Sequence, residues 1–246
     1  MNTWKLEIEY DGTRYYGWRI AHDSKTVQGE LSRAGRDLFS GKLEIGAAEP
    51  TDAGVHAIHQ VAHLKVSELT VDVRPKQIME GFNELLPHDI NILKLQNADE
   101  NFHARKEASS RQYLYKISQR RTAFSKNFLW WVKDELDVKK MKNAAEALIG
   151  KHDFTSFSFI DEDYKNDCKT LVKHAEVLVE NELICFRIEA ERFFPKMVRR
   201  IVGMLVEVGR GKLADTAFER MLRFPTDAPR KFAAPASGLF LEKIKY

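Results

Sequence analysis

The chain has 246 residues, with 39 Lys or Arg against 36 Asp or Glu and a formal net charge of +3. An apolar share of 43% is ordinary for a globular chain and sufficient for a core, in one large domain or two small ones. No stretch approaches the roughly 20 apolar residues of a membrane helix, and charges interleave from Lys5 onward with no apolar signal core, so the chain reads as cytoplasmic with no membrane partner. Cys168 and Cys185 lie far apart, without paired-ligand spacing, and read as free structural thiols.

Taken in chain order, Trp4, Leu6, Ile8 and Tyr10 alternate as a strand. Val27, Leu31, Ala34 and Leu38 then recur at helical spacing behind an N-cap at Thr26. Strands follow at 43–47 and 58–66. A helix opens at Pro75, carries Ile78, Phe82 and Leu85 on one face and stops before Pro87; a strand runs over 90–95. This β-α-β-β-α-β order is the ferredoxin-like split unit. The second half repeats the theme less tidily: a strand through Tyr113, Tyr115 and Ile117, a short one at 128–132, and a helix from Val138 ended by Gly150. A hairpin then turns at Asn181-Glu182, a helix runs from Pro195 to about Gly209, and a last strand spans 239–244.

The expected fold class is therefore α+β: two ferredoxin-like halves, 1–105 and 106–246, sharing a continuous mixed sheet with a central cleft. The polar or Pro-containing loops at 160–166 and 224–231 are the expected mobile segments.

Charge is uneven along the chain. Between Arg105 and Lys133 eight cations are opposed only by Glu107, and between Arg192 and Lys212 six are opposed only by Glu207. Tyr113, Tyr115, Phe193 and Phe194 interleave with these tracts. Cations beside aromatic rings suit RNA or DNA better than a small acidic metabolite; a solvated charged face is the plainer reading of either tract alone.

One turn stands out. Thr51-Asp52-Ala53-Gly54-Val55-His56-Ala57 places a carboxylate in a tight, glycine-containing turn between two strands. Asp52 is expected to face outward at a sheet edge or cleft mouth. His56, His59 and His63 nearby raise the rival of a metal site with Asp52. Against it, His59 and His63 share one strand face while the turn places His56 differently.

The order of motifs then resembles a known family. Tyr10-Asp11-Gly12-Thr13, Tyr16-Gly17-Trp18, Thr26-Val27-Gln28, the Asp52 turn, Phe102-His103-Ala104-Arg105, Arg111-Gln112-Tyr113-Leu114-Tyr115, Asp153-Phe154-Thr155-Ser156-Phe157, Met197-Val198-Arg199 and Ala234-Pro235-Ala236-Ser237-Gly238-Leu239 are similar to those of the TruA family of tRNA pseudouridine synthases. The match spans nearly the whole chain. It implies an isomerase that converts uridine to pseudouridine in the tRNA anticodon stem-loop, as a homodimer, with no metal and no organic cofactor.

By motif position Asp52 resembles the family's catalytic aspartate, Tyr113 its active-site tyrosine and Arg199 its basic partner. Thr51, His56, Arg105, Arg111 and Leu239 are the expected substrate-binding residues, with Leu239 resembling one that packs against the target base. The sequence departs from the family where Gly-Arg is expected before Thr-Asp and Glu49-Pro50 stands instead. The departure removes a cation that assists base extrusion, and it raises an alternative: a catalytically impaired tRNA-binding or RNA-chaperone protein on the same fold.

Overall fold

A computed structural model describes residues 2–39, 41–67, 74–159 and 168–246. The predicted loop at 160–166 lies outside the described residues. The chain divides into two compact units, Met1–Ser109 with Leu241–Tyr246, and Ser110–Phe240.

The first unit contains β1 (Asn2–Tyr10), α1 (Val27–Leu38), β2 (Leu43–Ala47), β3 (His56–Val66), α2 (Pro75–Leu85), β4 (Ile90–Asn97) and a one-turn α3 (Ala104–Glu107). β1 lies antiparallel between β4 and β3, and β2 pairs antiparallel with β3. The order β4-β1-β3-β2 is the ferredoxin-like arrangement the β-α-β-β-α-β sequence predicts. Leu6 and Ile8 are fully buried on one face of β1, as their alternation requires. The Thr26 hydroxyl caps α1 by accepting the Gly29 N–H at 3.2 Å. Asn83 ties α2 to β4, donating to the Ile92 carbonyl at 3.0 Å and accepting the Ile92 N–H at 2.8 Å. The rings of Trp4, Phe39 and Phe82 pack in series at 6.1 and 6.3 Å.

The second unit contains β5 (Ser110–Ser118), β6 (Trp130–Trp131), α4 (Val138–Glu146), β7 (Gly150–Asp153), β8 (Lys169–Glu180), β9 (Leu183–Ala190), α5 (Met197–Gly209) and α6 (Ala217–Arg223). β10 (Leu239–Lys245) begins in this unit, and its residues from Leu241 belong to the first. The strands run β5-β9-β8-β7, all antiparallel, with β6 parallel to β5. The β8–β9 hairpin turns where predicted, at Asn181 and Glu182, both with positive φ.

Several elements differ from expectation: α3 and β7 have no counterpart in the sequence reading, and Gly150, expected to end α4, opens β7, with α4 stopping at Glu146. β6 is two residues long because Phe128 and Leu129 lie outside the ladder. α6 has no clear sequence signal: its apolar residues Phe218 and Leu222 are too few to define a period. The predicted loop at 224–231 contains a 3-10 turn, Ala228–Phe232. The core holds Phe154, Phe157, Phe186 and Phe218, with Phe157 and Phe218 stacked at 5.5 Å. α5 is buried at every residue except Arg199.

Candidate active site

In the first unit the chain between β2 and β3 is pinned from several sides, and it carries two half-exposed carboxylates, Glu49 and, in the turn itself, Asp52. The Gln60 side chain, fully buried, brackets residue 49: its Nε2 donates to the Glu49 carbonyl at 2.6 Å and its Oε1 accepts the Glu49 N–H at 3.3 Å. Pro50 has no N–H to satisfy, so the Glu49-Pro50 replacement leaves the backbone held. Thr51 is buried, its hydroxyl 2.7 Å from the Tyr10 hydroxyl and its carbonyl accepting the Trp18 N–H at 3.0 Å. Burial pushes the Tyr10 phenol up to about 12, with the Thr51 hydrogen bond opposing, so it stays a neutral hydroxyl.

The turn closes with the Val55 N–H on the Asp52 carbonyl at 3.2 Å and the Gly54 N–H on the Tyr15 carbonyl at 3.1 Å. Gly54 has φ 75° and Gly17 φ 90°, both in the left-handed region, and a Cβ on Gly17 would lie 2.6 Å from the Thr51 carbonyl oxygen. His56 is buried and accepts the Gly12 N–H on Nδ1 at 3.0 Å, with Asp11 at 3.1 Å. The motifs 10–13 and 16–18 thus have a physical job: they are the frame around the Asp52 turn. Thr51 and His56 belong to that frame, their side chains turned inward.

A second layer steadies the frame. Asp89 accepts from the Tyr15 hydroxyl at 2.5 Å and from Arg14 at 2.5 and 2.9 Å, and its carbonyl accepts the Asp11 N–H at 3.0 Å. Burial of Asp89 acts to raise its pKa, but the hydrogen bonds from Tyr15 and Arg14 outweigh it and hold the carboxyl below its ordinary value. Nothing in the sequence links Asp89 to Tyr15, 74 positions apart, or marks Gln60 as a partner of residue 49.

The three histidines go to separate partners. His59 lies 3.1 Å from Glu7; His63, buried, lies 3.2 Å from Glu44 and accepts the Ala104 N–H at 3.2 Å. Among the described residues no group of three or more His, Cys, Asp or Glu has metal-holding geometry. Arg105 is exposed on α3.

In the second unit Arg111, Tyr113 and Tyr115 lie on one face of β5. Arg111 is buried and donates to the Glu191 carbonyl at 2.8 Å. Tyr113 is buried, with the Phe193 ring edge-on at 5.0 Å. Tyr115 donates to the Pro235 carbonyl at 2.8 Å, and Arg199 donates through Nε to the adjacent Ala234 carbonyl at 2.7 Å. The Ala234 N–H returns to the Arg199 carbonyl at 2.9 Å. The 234–238 motif is thus a strap whose successive carbonyls orient Tyr115 and Arg199. Nε is the only hydrogen-bonding atom of the Arg199 side chain among the described residues, so both terminal amino groups remain as donors. Leu239 is buried.

The basic tracts are only partly surface. Arg200 is buried and donates to the Ser158 carbonyl, and Arg210 pairs with Glu207 at 2.5 Å and Asp134 at 2.7 Å. Tyr113, Tyr115, Phe193 and Phe194, expected beside these cations as stacking surfaces, are core residues. Alternation on a strand and helix entry placed them inward. The exposed aromatics are others, among them Tyr16, Phe124 and Phe224.

Two ferredoxin-like halves, a framed aspartate turn in one and a strapped arginine in the other, are consistent with the pseudouridine synthases, and comparison with known proteins agrees. The tRNA pseudouridine synthase family matches residues 144–246. The chain is 36% identical over 252 residues to tRNA pseudouridine synthase A 2 of Bacillus anthracis, covering 100% of both chains. It is 39% identical to tRNA pseudouridine synthase A of Hyphomonas neptunium, over 100% of this chain and 99% of that one. Identity to the Bacteroides fragilis tRNA pseudouridine synthase A is 38%, over 98% and 95%. The chain belongs to the tRNA pseudouridine synthase A family.

Proposed function

We propose that the chain isomerises uridine to pseudouridine in the anticodon stem-loop of tRNA, with Asp52 as the catalytic carboxylate and Tyr113 and Arg199 as the further catalytic residues. The reaction breaks the C1′–N1 bond, turns the uracil and forms a C1′–C5 bond; the C5 proton leaves and N1 gains one, so composition is unchanged. No oxidant or group donor is needed. An ionised Asp52 serves this chemistry by opposing positive charge on the sugar as the glycosidic bond opens, whether it bonds transiently or removes a sugar proton. Arg199 supplies a fixed cation, and Tyr113, its ring buried against Phe193, meets the uracil by an edge rather than as an open stacking face.

The observation that carries the reading is the exposure of Asp52 and Arg199, each among buried neighbours. In the segment around Asp52 the side chains of Thr51, Val55 and His56 are buried, and Asp52 is not. In α5 Arg199 alone escapes burial. Thr51 and His56 act by holding the turn, Arg111 by fixing the edge of β5, and Leu239 by packing beneath the base. The exposed cations, Arg105 among them, grip phosphate. The half 1–105 carries the catalytic turn and 106–246 the basic tracts; the active species is a cytoplasmic homodimer. Among the described residues no helix is long and apolar enough to cross a membrane.

Against the impaired-binder alternative, Gln60 keeps the Glu49 backbone, and with it the entry to the Asp52 turn, in place despite the missing cation. A tRNA transcript tritiated at uridine C5 tests the reading: isomerisation releases tritium to water. Release by the wild-type chain, lost in Asp52→Ala, supports it; tRNA binding with no release overturns it.

A further inference from the structure

The segment 119–133, which follows β5 and includes β6, carries Arg120, Arg121, Lys126 and Lys133 and no acid, and all four cations are exposed. Phe124 in the same segment is 97% exposed and Trp131 41%. Both ends of the segment are anchored. The Ser118 hydroxyl donates to the Arg120 carbonyl at 2.7 Å, Gln119 to the Asp134 carbonyl at 3.2 Å, and the Val132 N–H to the Ser118 carbonyl at 2.9 Å. Leu129 is buried, its carbonyl accepting from Ser237, and Trp130 packs edge-on to Tyr115. The Arg121 guanidinium already lies over the Trp131 ring, 5.6 Å from its centroid.

We propose that this segment is a nucleotide-stacking platform: unpaired bases of the RNA stack on the Arg121–Trp131 pair and on Phe124, while Arg120, Lys126 and Lys133 meet the adjacent phosphates. The proposal rests on tRNA being the substrate. A guanidinium stacked on an indole presents its other plane to a base, and a fully exposed phenyl is a sequence-tolerant stacking surface. An apolar ring left in water has burial free energy still to gain on binding. Charge selects the occupant. A second copy of the chain meeting this segment in a two-fold contact would bring four cations against four cations, whereas RNA supplies the opposite charge and the π faces together.

The test is binding of an anticodon stem-loop RNA by fluorescence anisotropy at several salt concentrations. Phe124→Ala and Arg121→Gln are the variants, with thermal melting as the folding control and tritium release measured in parallel. Phe124→Ala is expected to weaken binding roughly tenfold without changing the salt slope, because no charge is removed. Lys126→Gln is expected to lower the slope by about one phosphate contact. Wild-type affinity in both Phe124→Ala and Arg121→Gln overturns the platform. So does sedimentation showing that Phe124→Ala dissociates a dimer while RNA affinity is kept. Absence of tritium release by the wild type refutes the function proposed above, and the binding comparison still decides the platform.

Discussion

Removing one oxygen, by Tyr10→Phe, isolates how much the frame contributes to the Asp52 turn. The Tyr10 and Thr51 hydroxyls are 2.7 Å apart and both residues are buried. Deleting the phenol oxygen costs the hydrogen bond and leaves the Thr51 hydroxyl short of a partner, about 1–3 kcal/mol in all. If about 1.4 kcal/mol of that falls on the turn rather than on the whole fold, kcat drops about tenfold. RNA affinity stays unchanged, since neither group reaches the surface. Global stability falls too, and each kcal/mol lowers Tm by about 2–4 °C in a chain of this size. Steady-state kinetics with tRNA, thermal melting and a cycle with Thr51→Val separate the two effects. The double variant should be less impaired than the sum of the singles, because the buried hydroxyl pair is then removed together. A Tyr10→Phe protein with lowered Tm and wild-type kcat would refute the positioning argument.

Arg199→Lys should lower kcat by roughly 100-fold or more, since lysine cannot keep the Ala234 contact and still present two terminal donors; a fully active lysine variant would count against the strapped guanidinium. Asp89 is held below its ordinary 3.8 by Tyr15 and Arg14 against burial, so the folded state binds fewer protons than the unfolded one there. Its stabilisation is fully present above about pH 4 and lost as pH falls through the folded value. Asp89→Asn should therefore flatten the acid limb of a stability-against-pH curve, and superimposable limbs would contradict this. A Cβ at residue 203 would sit 1.3 Å from the Phe232 carbonyl oxygen, so Gly203→Ala should destabilise by about 3 kcal/mol or more; an unchanged melting curve would show that the helix packs differently.

The first unit was legible because its signals are local. Alternation in β1, the Thr26 cap and the prolines bounding α2 each act within a few residues, and together they set the β-α-β-β-α-β order. The Asp52 turn was legible as a motif but its frame was not: Gln60 and Asp89 act through side chains that meet the backbone from other elements, and spacing carries no record of that. The aromatic reading erred in one direction. Tyr113 and Phe193 stand beside cations in sequence, yet strand alternation turns the ring of Tyr113 into the core, while Phe124, in a stretch without periodicity, is the ring left in water. Net charge likewise overstated the second tract, because Arg200 and Arg210 are spent on internal partners.

The most direct measurement is single-turnover pseudouridine formation in an unmodified anticodon stem-loop, read by carbodiimide mapping, with enzyme in excess and Asp52→Asn beside the wild type. Matched melting temperatures and RNA affinities keep the comparison to one carboxylate. Pseudouridine at the stem-loop with the wild type, and none with Asp52→Asn, is the expected result. Equal modification by the two proteins would contradict the account.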